Sequence, residues 1–358
     1  MGRVGRRRFC GIKPDFRAIT LHTALPRTTR MLYQAGKVWI FSDTAVSSRM
    51  MHACFDINTH EFTVLDYPPG DESTYGGQAY QKDQAVAAPN GYFYLPPSAK
   101  QDMMKISISN PSVYSFFPTS YANSSYPKFG TGVLLPNGKI FWGMSGAAHT
   151  GGLWIDTSDD SLTQDGVFGS NSYFRDSILG SDGMIYSSAY MYLSLLEKKD
   201  YNTRLSTAAL SSTGNNLFIG TDGNFIILKD KIYNYLTGLD YPNTVNNGIY
   251  DVYINVPGGV VYSIDPMTSV LTIFSIQNNG VINIIDTMQL PATWNFYSST
   301  IRACYAPNGL IYIMPSANGS TNILYVIDTH TYVDSSDAVI PSSLSTLATS
   351  NYNLYFNK

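Results

Sequence analysis

A short hairpin that recurs along the chain constrains its fold more than any other feature of the sequence. Asn-Gly and Asp-Gly pairs supply the positive φ angles that a two-residue hairpin turn requires. Five stretches share this hairpin pattern between two short apolar runs, the first of them with Ala-Gly at the turn: TRMLYQAGKVWIFS (29–42), DQAVAAPNGYFYLPPS (83–98), GTGVLLPNGKIFWGMS (130–145), RDSILGSDGMIYSSA (175–189) and TIRACYAPNGLIYIMPS (300–316). Each stretch predicts a β-hairpin whose turn glycine has a structural role.

A second pattern follows the hairpins at a variable distance, where a predicted strand ends in Asp. It occurs as ACFDINTHEF (53–62), LWIDTSDD (153–160), VYSIDPMTSV (261–270) and LYVIDTHTYV (324–333). The Asp side chain can accept hydrogen bonds from backbone amides two or three residues further on, so it favours a turn into one more strand. Two hairpins in series predict a four-stranded antiparallel unit that cannot bury both of its faces alone.

The spacing of the repeat predicts the architecture. The hairpin glycines are spaced by about 45 residues on average, the period of a four-stranded propeller blade. The seven anchors are Gly36, Gly91, Gly138, Gly183, Gly214, Gly248 and Gly309. The sequence therefore predicts an all-β fold, a β-propeller of seven four-stranded blades, with six or eight blades as alternatives. Blades five and six, read as LFIGT/NFIILKD/KIYNYL and IYDVYIN/GVVYSID/VLTIFSI, carry the weakest pattern.

The stretches 29–42, 83–98 and 300–333 resemble the repeat of YVTN-type propellers, in which a Pro-Asp/Asn-Gly hairpin is followed by an Ile-Asp-x-x-Thr turn. The full two-part pattern is clear in about four of the seven units, and the spacing is less regular than in that family. The resemblance implies a fold, and it leaves function open because such propellers serve as adhesins, surface-layer proteins, enzymes and virion parts.

Charge divides the chain into a basic N-terminal arm (1–28), the propeller (29–341) and a C-terminal segment (342–358) that could add a ring-closing strand. Residues 1–30 carry a net charge of +7, whereas the rest of the chain carries −10. Arg3, Arg6, Arg7 and Arg8 are the predicted partner-docking residues of the arm. The arm could contact an acidic protein face, nucleic acid or a membrane surface, or be a solvated tail. We favour other protein subunits as its partners over nucleic acid.

The loops that would enter each blade are rich in aromatic residues. Only 14% of all residues are charged, against about 25% in typical soluble domains, while Tyr occurs 27 times. Tyr and Trp beside Ser, Gly and Asn are typical of protein- and glycan-binding surfaces, although the rings could instead cap blade interfaces. The predicted rim residues are Tyr67, Tyr75, Tyr80, Tyr121, Tyr126, Tyr241, Trp294 and Tyr297.

No residue set predicts catalysis, a metal site or a cofactor. Of the five histidines, only His149, in GMSGAAHTGG, is placed where a catalyst at the channel mouth could lie. The acidic run 156–166 lacks the Gly and Glu positions of an EF-hand loop, and no P-loop, GxSxG, HExxH or Rossmann motif occurs. Cys10, Cys54 and Cys304 are irregularly spaced, which favours buried thiols over a disulfide framework.

These observations favour a non-enzymatic interaction and structural module of a large assembly, with a virus or phage particle (tail, spike or capsid-associated) as the leading setting. A glycan-active enzyme or lectin on a propeller scaffold is the main alternative, and a peptide-binding scaffold is a third. No apolar stretch approaches the roughly 18 residues that span a membrane, and no apolar region follows the N-terminal arginines. We therefore expect a virion component or otherwise a soluble protein without a classical signal peptide.

Overall fold

The computed structural model describes residues 16–25, 27–43, 51–66, 85–96, 102–118, 128–145, 152–165, 173–190, 195–211, 220–222, 224–228, 230–245, 252–256, 259–265, 268–290, 301–315 and 321–329. All regular elements within these residues are β-strands, and no helix occurs among them. The strands form seven four-stranded antiparallel sheets arranged as the blades of a β-propeller. The predicted fold class and blade number are confirmed.

The first strand in the chain belongs to the last blade, so blade 1 begins with β2. Ahead of it lies β1 (Phe16–Leu25). Blade 1 contains β2 (Arg27–Gln34), β3 (Lys37–Asp43), β4 (Met51–Asp56) and β5 (Phe62–Asp66). Blade 2 contains β6 (Val86–Ala87), β7 (Tyr92–Leu95), β8 (Asp102–Ser107) and β9 (Tyr114–Pro118). Blade 3 contains β10 (Lys128–Leu134), β11 (Lys139–Ser145), β12 (Gly152–Asp156) and β13 (Ser161–Gln164).

The remaining blades follow the same plan. Blade 4 contains β14 (Tyr173–Leu179), β15 (Met184–Tyr190), β16 (Leu195–Asp200) and β17 (Ser206–Ser211). Blade 5 contains β18 (Gly220–Asp222), β19 (Phe225–Ile227), β20 (Lys231–Asn234) and β21 (Leu239–Pro242). Blade 6 contains β22 (Val252–Val256), β23 (Val260–Asp265), β24 (Val270–Ile276) and β25 (Ile282–Gln289). Blade 7 contains β26 (Ile301–Ala306), β27 (Leu310–Pro315), β28 (Thr321–Asp328) and β1.

The first strand of each blade lies innermost. Inner strands of neighbouring blades contact one another, as β2 does with β26, β22 with β26, and β10 with β14. Fourth strands lie outermost and are largely exposed, as the pattern along β9 and β25 shows. One residue pair, Ser145 opposite Tyr173, also joins the sheets of blades 3 and 4. The blades therefore share their apolar faces around a ring.

The N-terminal strand closes the ring. Strand β1 pairs antiparallel with β28, with Phe16 opposite Ile327 and Ile19 opposite Leu324, and it supplies the outer strand of blade 7. Residues 16–25 therefore belong to the propeller, so the expected arm boundary at residue 28 comes too late in the chain. Arg30 also lies buried in β2 and does not extend from the body. The closing strand proposed for residues 342–358 lies outside the described residues.

The predicted hairpins join the first two strands of most blades, but the two-residue turn expected for them occurs only at Ala35-Gly36; in the Asn-Gly and Asp-Gly hairpins the glycine alone has a positive φ, and the loop is longer. Gly36, Gly91, Gly138, Gly183 and Gly309 all have positive φ values between 76° and 84°. In blade 6 the first hairpin turns at Gly259, with φ of 75°, and in blade 5 it joins β18 to β19. The anchors Gly214 and Gly248, predicted for these two blades, lie outside the described residues.

The Asp turns join the third strand to the fourth in blades 1, 3 and 4. Asp200 accepts hydrogen bonds from the amides of Asn202 (2.7 Å) and Thr203 (3.0 Å), and Asp56 makes the same pair of contacts. The residue four positions after the Asp adopts a positive φ, as at His60 and Arg204. In blade 6 the Asp265 turn instead joins the second strand to the third, so it lies at the opposite end of its blade.

The core lies between blades, where a repeated side chain fills each interface. The third residue after the hairpin glycine is large, apolar and at most 2% exposed in every blade. These residues are Trp39, Tyr94, Phe141, Tyr186, Ile226, Tyr262 and Tyr312. Trp39 of blade 1, for example, meets Phe93 of blade 2 edge-to-face at 5.0 Å. Since no blade can bury such rings alone, the interfaces hold the ring together.

Candidate interaction surfaces

The two ends of the propeller differ in how their loops are built. We call the lower face the end that carries the hairpin between strands one and two and the turn between strands three and four. The two turns are joined there, because the backbone amides of Ile57, Ile108 and Thr329 donate to the carbonyls of the respective hairpin glycines at 2.9–3.1 Å. The upper rim carries the loops that enter each blade and most loops between strands two and three.

The predicted rim residues fall almost entirely outside the described part of the chain. Tyr67, Tyr75, Tyr80, Tyr121, Tyr126, Trp294 and Tyr297 are among these, as are Arg3, Arg6, Arg7 and Arg8 of the arm. Tyr241 is described, and it lies in β21 with its ring edge-to-face to Phe225 at 6.5 Å. A Cβ atom built on Gly280 would lie only 2.2 Å from Tyr241 Cγ, so this ring packs on the next blade.

A polar network crosses from blade 2 to blade 3 on the lower face. The Tyr94 hydroxyl donates to Asp160 Oδ1 at 2.7 Å, and Lys105 Nζ lies 2.7 Å from Asp160 Oδ2. Asn90 Nδ2 donates to the Thr157 carbonyl at 2.6 Å. Burial and the hydrogen bond to Asp160 raise the pKa of Tyr94. Asp160 has a φ of 60°, as His60 and Arg204 do at the same position of their Asp turns.

Blades 4 and 5 are joined in a related way. The Tyr186 hydroxyl donates to Asp182 Oδ2 at 2.8 Å, and Lys198 pairs with the same oxygen at 3.1 Å. Burial and this hydrogen bond raise the pKa of Tyr186. The Ser181 amide donates to the hydroxyl of Tyr235 in the next blade at 3.1 Å. The Ser181–Tyr235 contact therefore joins blades 4 and 5, whereas the contacts among Tyr186, Asp182 and Lys198 lie within blade 4.

The Asp turns have a clear electrostatic consequence. Hydrogen bonds from backbone amides lower the pKa of Asp56 and Asp200, because these bonds are stronger to the charged carboxylate than to the protonated acid. For Asp156 the hydroxyl and amide of Ser158 have the same effect on the pKa. The three carboxylates therefore stabilise their turns, and Asp156 also pairs with Lys139 at 3.4 Å.

An ion pair is buried between blades 3 and 4. Lys199 Nζ lies 3.0 Å from Asp165 Oδ2, with the two side chains 4% and 6% exposed. Arg204 lies 3.8 Å from the other carboxylate oxygen and stacks over Trp154 at 4.8 Å. Charges so deeply buried are costly unless they are paired. The sequence pattern offered no sign of this pair, because its partners are 34 residues apart and belong to different blades.

Histidines and cysteines form no catalytic cluster in the described residues. His52 is buried between the Trp39 and Phe41 rings, and His60 lies in the Asp56 turn, whereas His149 lies outside the described residues. Cys54 and Cys304 are buried free thiols, as predicted, and burial raises the pKa of each. No group of three or more His, Cys, Asp or Glu side chains that could hold a metal ion occurs among the described residues.

Exposed apolar side chains concentrate at the lower outer edge of blades 5 and 6. Leu236 and Leu239 of blade 5 are 60% and 56% exposed, and Val281 and Ile284 of blade 6 are 51% and 54% exposed. We call these four residues the lower-edge patch. The Tyr241 ring packs on Gly280, so the outer strand of blade 5 contacts the turn of blade 6 that precedes Val281. Leu205, 71% exposed, occupies the equivalent turn of blade 4.

The stretch of sequence that carries the lower-edge patch contains no cationic residue. Residues 232–301 contain no Lys, Arg or His, and their four charged residues are Asp240, Asp251, Asp265 and Asp286. Asp240 pairs with Lys231 at 2.7 Å. The cation-free run could have been read from the sequence, but the exposure of the leucines could not, because apolar residues in a propeller repeat are normally expected in the core.

The fold and these surfaces define the class of protein as a seven-bladed β-propeller. No protein-family model matches the sequence, and no curated protein is significantly similar to it. A catalytically inactive variant of virginiamycin B lyase from Staphylococcus aureus, solved with quinupristin, has a similar structure, with a TM-score of 0.65 at 15% identity over 88% of this chain and 99% of that one.

Two further solved structures are similar to this chain. A chain of Kuenenia stuttgartiensis hydrazine synthase has a TM-score of 0.60 at 13% identity, covering 91% of this chain and 100% of that one. A chain of a mitotic checkpoint complex has a TM-score of 0.61 at 11% identity, covering 92% and 95%. At such identities the likeness concerns the fold alone. No described helix is long and apolar enough to cross a membrane.

Proposed function

We propose that this propeller is a non-catalytic module that holds other protein subunits in a large assembly, with a virus or phage particle as the favoured setting. The observation that carries the proposal is the lower-edge patch, because four large apolar side chains more than half exposed on adjacent blades are typical of a protein contact surface. The low charge of the whole chain, 14%, agrees with extensive contact surface.

Besides the lower-edge patch, two further surfaces would serve the assembly. The basic arm docks on a neighbouring subunit through Arg3, Arg6, Arg7 and Arg8, since guanidinium groups bind carboxylates in a fixed two-pronged geometry. The upper rim presents Tyr and Trp side chains to protein or glycan. Such rings give contact area at low entropic cost.

The test of arm docking is crosslinking in the native complex. A photoreactive group placed at Arg6 or Arg8 should crosslink to a protein subunit, and replacing all four arm arginines by Ala should release the propeller from the complex. The control variant Lys37→Ala, Lys139→Ala removes positive charge from lower-face hairpins and should leave the complex intact. Recovery of the wild-type chain as a free monomer with no crosslinked partner would refute the assembly role.

A glycan array distinguishes the two readings of the rim. If the rim binds sugar, Tyr126→Ala and Trp294→Ala should each weaken binding several-fold, while Phe116→Ala, at an exposed ring on the outer strand of blade 2, should not. Turnover of a glycan that is abolished by His149→Ala would instead establish an enzyme. If no glycan is bound, protein remains as the proposed ligand of the rim.

A further inference from the structure

We infer that the lower-edge patch is the seat of the basic N-terminal segment, residues 1–15, of a second copy of this chain. This inference rests on the arm-docking part of the proposed function and names the partner as the chain itself. The result would be a head-to-tail contact, in which each copy uses its arm on one neighbour and its patch on another. Contacts of this kind close into rings or extend into filaments.

The position of the arm favours this arrangement. Strand β1 begins at Phe16, opposite Ile327 near the end of β28. The following Thr329 donates its hydroxyl to the carbonyl of hairpin Gly309 at 2.6 Å, which places this end of blade 7 on the lower face. The chain before Phe16 therefore leaves the propeller at the lower outer edge. The arm therefore starts from the face of the propeller that carries the lower-edge patch.

The length of the arm is sufficient for the task. Fifteen extended residues span at most about 50 Å. The patch extends across only two adjacent blades, and its members lie in or beside turns and outer strands, where no other described strand covers them. An arm of this length can cross from one molecule and still lie along the patch of the next.

The chemistry of the arm matches that of the patch in two respects. The segment MGRVGRRRFCGIKPD carries Arg3, Arg6, Arg7, Arg8 and Lys13 against one acid, Asp15. Its apolar residues Val4, Phe9 and Ile12 are interleaved with these cations, and the patch offers Leu236, Leu239, Val281 and Ile284. Asp286 lies on the same outer strand as Ile284, and Asp240, beside Leu239, is paired with Lys231 at 2.7 Å. Opposite charges around an apolar centre are the usual composition of a specific contact.

The experiment separates the two halves of the contact. The variant Leu239→Lys, Ile284→Lys keeps the arm and alters the patch, whereas deletion of residues 1–15 keeps the patch and removes the arm. Sedimentation of the wild-type protein should show association that increases with protein concentration. Each variant alone should remain monomeric at those concentrations, with self-association at least ten-fold weaker than that of the wild type. A mixture of the two variants should form a 1:1 dimer that grows no further, because each supplies the half that the other lacks.

The control is Val113→Lys, Phe116→Lys on blade 2, where the residues are similarly exposed at 51% and 40%. This variant should associate as the wild type does. The double variant Leu239→Lys, Ile284→Lys could lower the thermal unfolding temperature. In that case the double variant Leu236→Lys, Val281→Lys, which changes the two patch residues located in turns, tests the same patch. Higher salt should weaken association, since arginine–carboxylate contacts are screened.

Three results would overturn the inference: a wild-type protein that stays monomeric, a patch variant that still associates, or a mixture that forms no dimer. None of these outcomes bears on arm crosslinks to other subunits in the native complex, so the proposed function can survive the failure of this inference. Conversely, a wild-type protein that is recovered as a free monomer and forms no crosslink would refute both the proposed function and this inference.

Discussion

At the residue scale, two glycines in equivalent turns show how neighbouring side chains determine whether a position tolerates substitution by a larger residue. Gly238 and Gly280 lie in the turns before the outer strands of blades 5 and 6, with φ values of 75° and 78°. A Cβ on Gly238 would meet nothing within 4 Å, whereas a Cβ on Gly280 would enter the Tyr241 ring. The backbone requirement is the same at both positions, but only one carries an inter-blade contact.

Gly238→Ala should therefore destabilise the protein by about 1–2 kcal/mol, the cost of a left-handed backbone for an L-residue. Gly280→Ala should cost about 1–3 kcal/mol more, because the added methyl group overpacks against the ring. Urea unfolding of both variants measures the difference. Equal losses of stability would show that the Tyr241 ring moves aside without cost.

The Asp turns predict a pH dependence. The folded-state pKa of Asp56 and Asp200 is lowered from the usual 3.8, so their contribution to stability is present above the unfolded-state pKa and is lost as the pH falls through the folded-state value. Asn can accept the same turn hydrogen bonds without titrating, as Asn234 does for Leu236 and Thr237 in blade 5.

The variant Asp56→Asn, Asp200→Asn should lose less stability than the wild type between about pH 6 and about pH 2.5, because two titrating carboxylates are gone. The measurement is the urea midpoint across that range. Asp102→Asn, which lies in no such turn, is the control. An unchanged pH dependence in the double variant would contradict the role of the turn carboxylates in acid unfolding.

At the element scale, the strands of one blade are predictable and the contacts between blades are not. Each hairpin is specified locally, since Asn90-Gly91 or Asn308-Gly309 fixes the turn and alternating apolar residues fix the strands. Most of the predicted segments of blades 5 and 6 also coincide with described strands, whereas the anchor glycines Gly214 and Gly248 lie outside the described residues. By contrast, the Lys199–Asp165 pair depends on which blade packs against which, and no local pattern encodes that choice.

Replacing one partner of this buried pair should be costly. Lys199→Met leaves Asp165 buried with Arg204 at 3.8 Å as its remaining cation, and we expect a loss of about 3 kcal/mol or more. Lys139→Met, which removes a pair that is 36% and 28% exposed, should cost less than about 1 kcal/mol. Thermal and urea unfolding measure both. If Lys199→Met is no worse than Lys139→Met, the buried pair contributes nothing to holding blades 3 and 4 together.

At the scale of the whole molecule, ring closure joins chain ends that are about 300 residues apart in sequence. The outer strand of blade 7 comes from β1, and β1 also contacts β5 of blade 1. The exposed aliphatic residues of blades 5 and 6 have to be considered at this scale, because the ring places the start of β1, the patch and the lower-face turns at the same end of the propeller.

Removing β1 should open the ring. Deletion of residues 1–15 should leave the thermal unfolding temperature unchanged within a few degrees, because the segment lies before the first strand of the propeller. Deletion of residues 1–25 should lower it by ten degrees or more, since it exposes the apolar face and the edge of β28. Circular dichroism melting of the two truncations compares them directly, and equal melting of both would show that β1 is not needed for closure.

The sequence by itself determined the hairpins, the Asp turns, the blade count and the buried cysteines, because each depends on residues close together in the chain or on a period that repeats. Tertiary structure alone decided that the N-terminal strand completes the last blade, which ring of each blade meets which neighbour, and where leucines remain exposed. Those outcomes depend on how seven half-buried sheets divide their apolar area around a circle, and that division is a property of the assembled ring rather than of any one repeat.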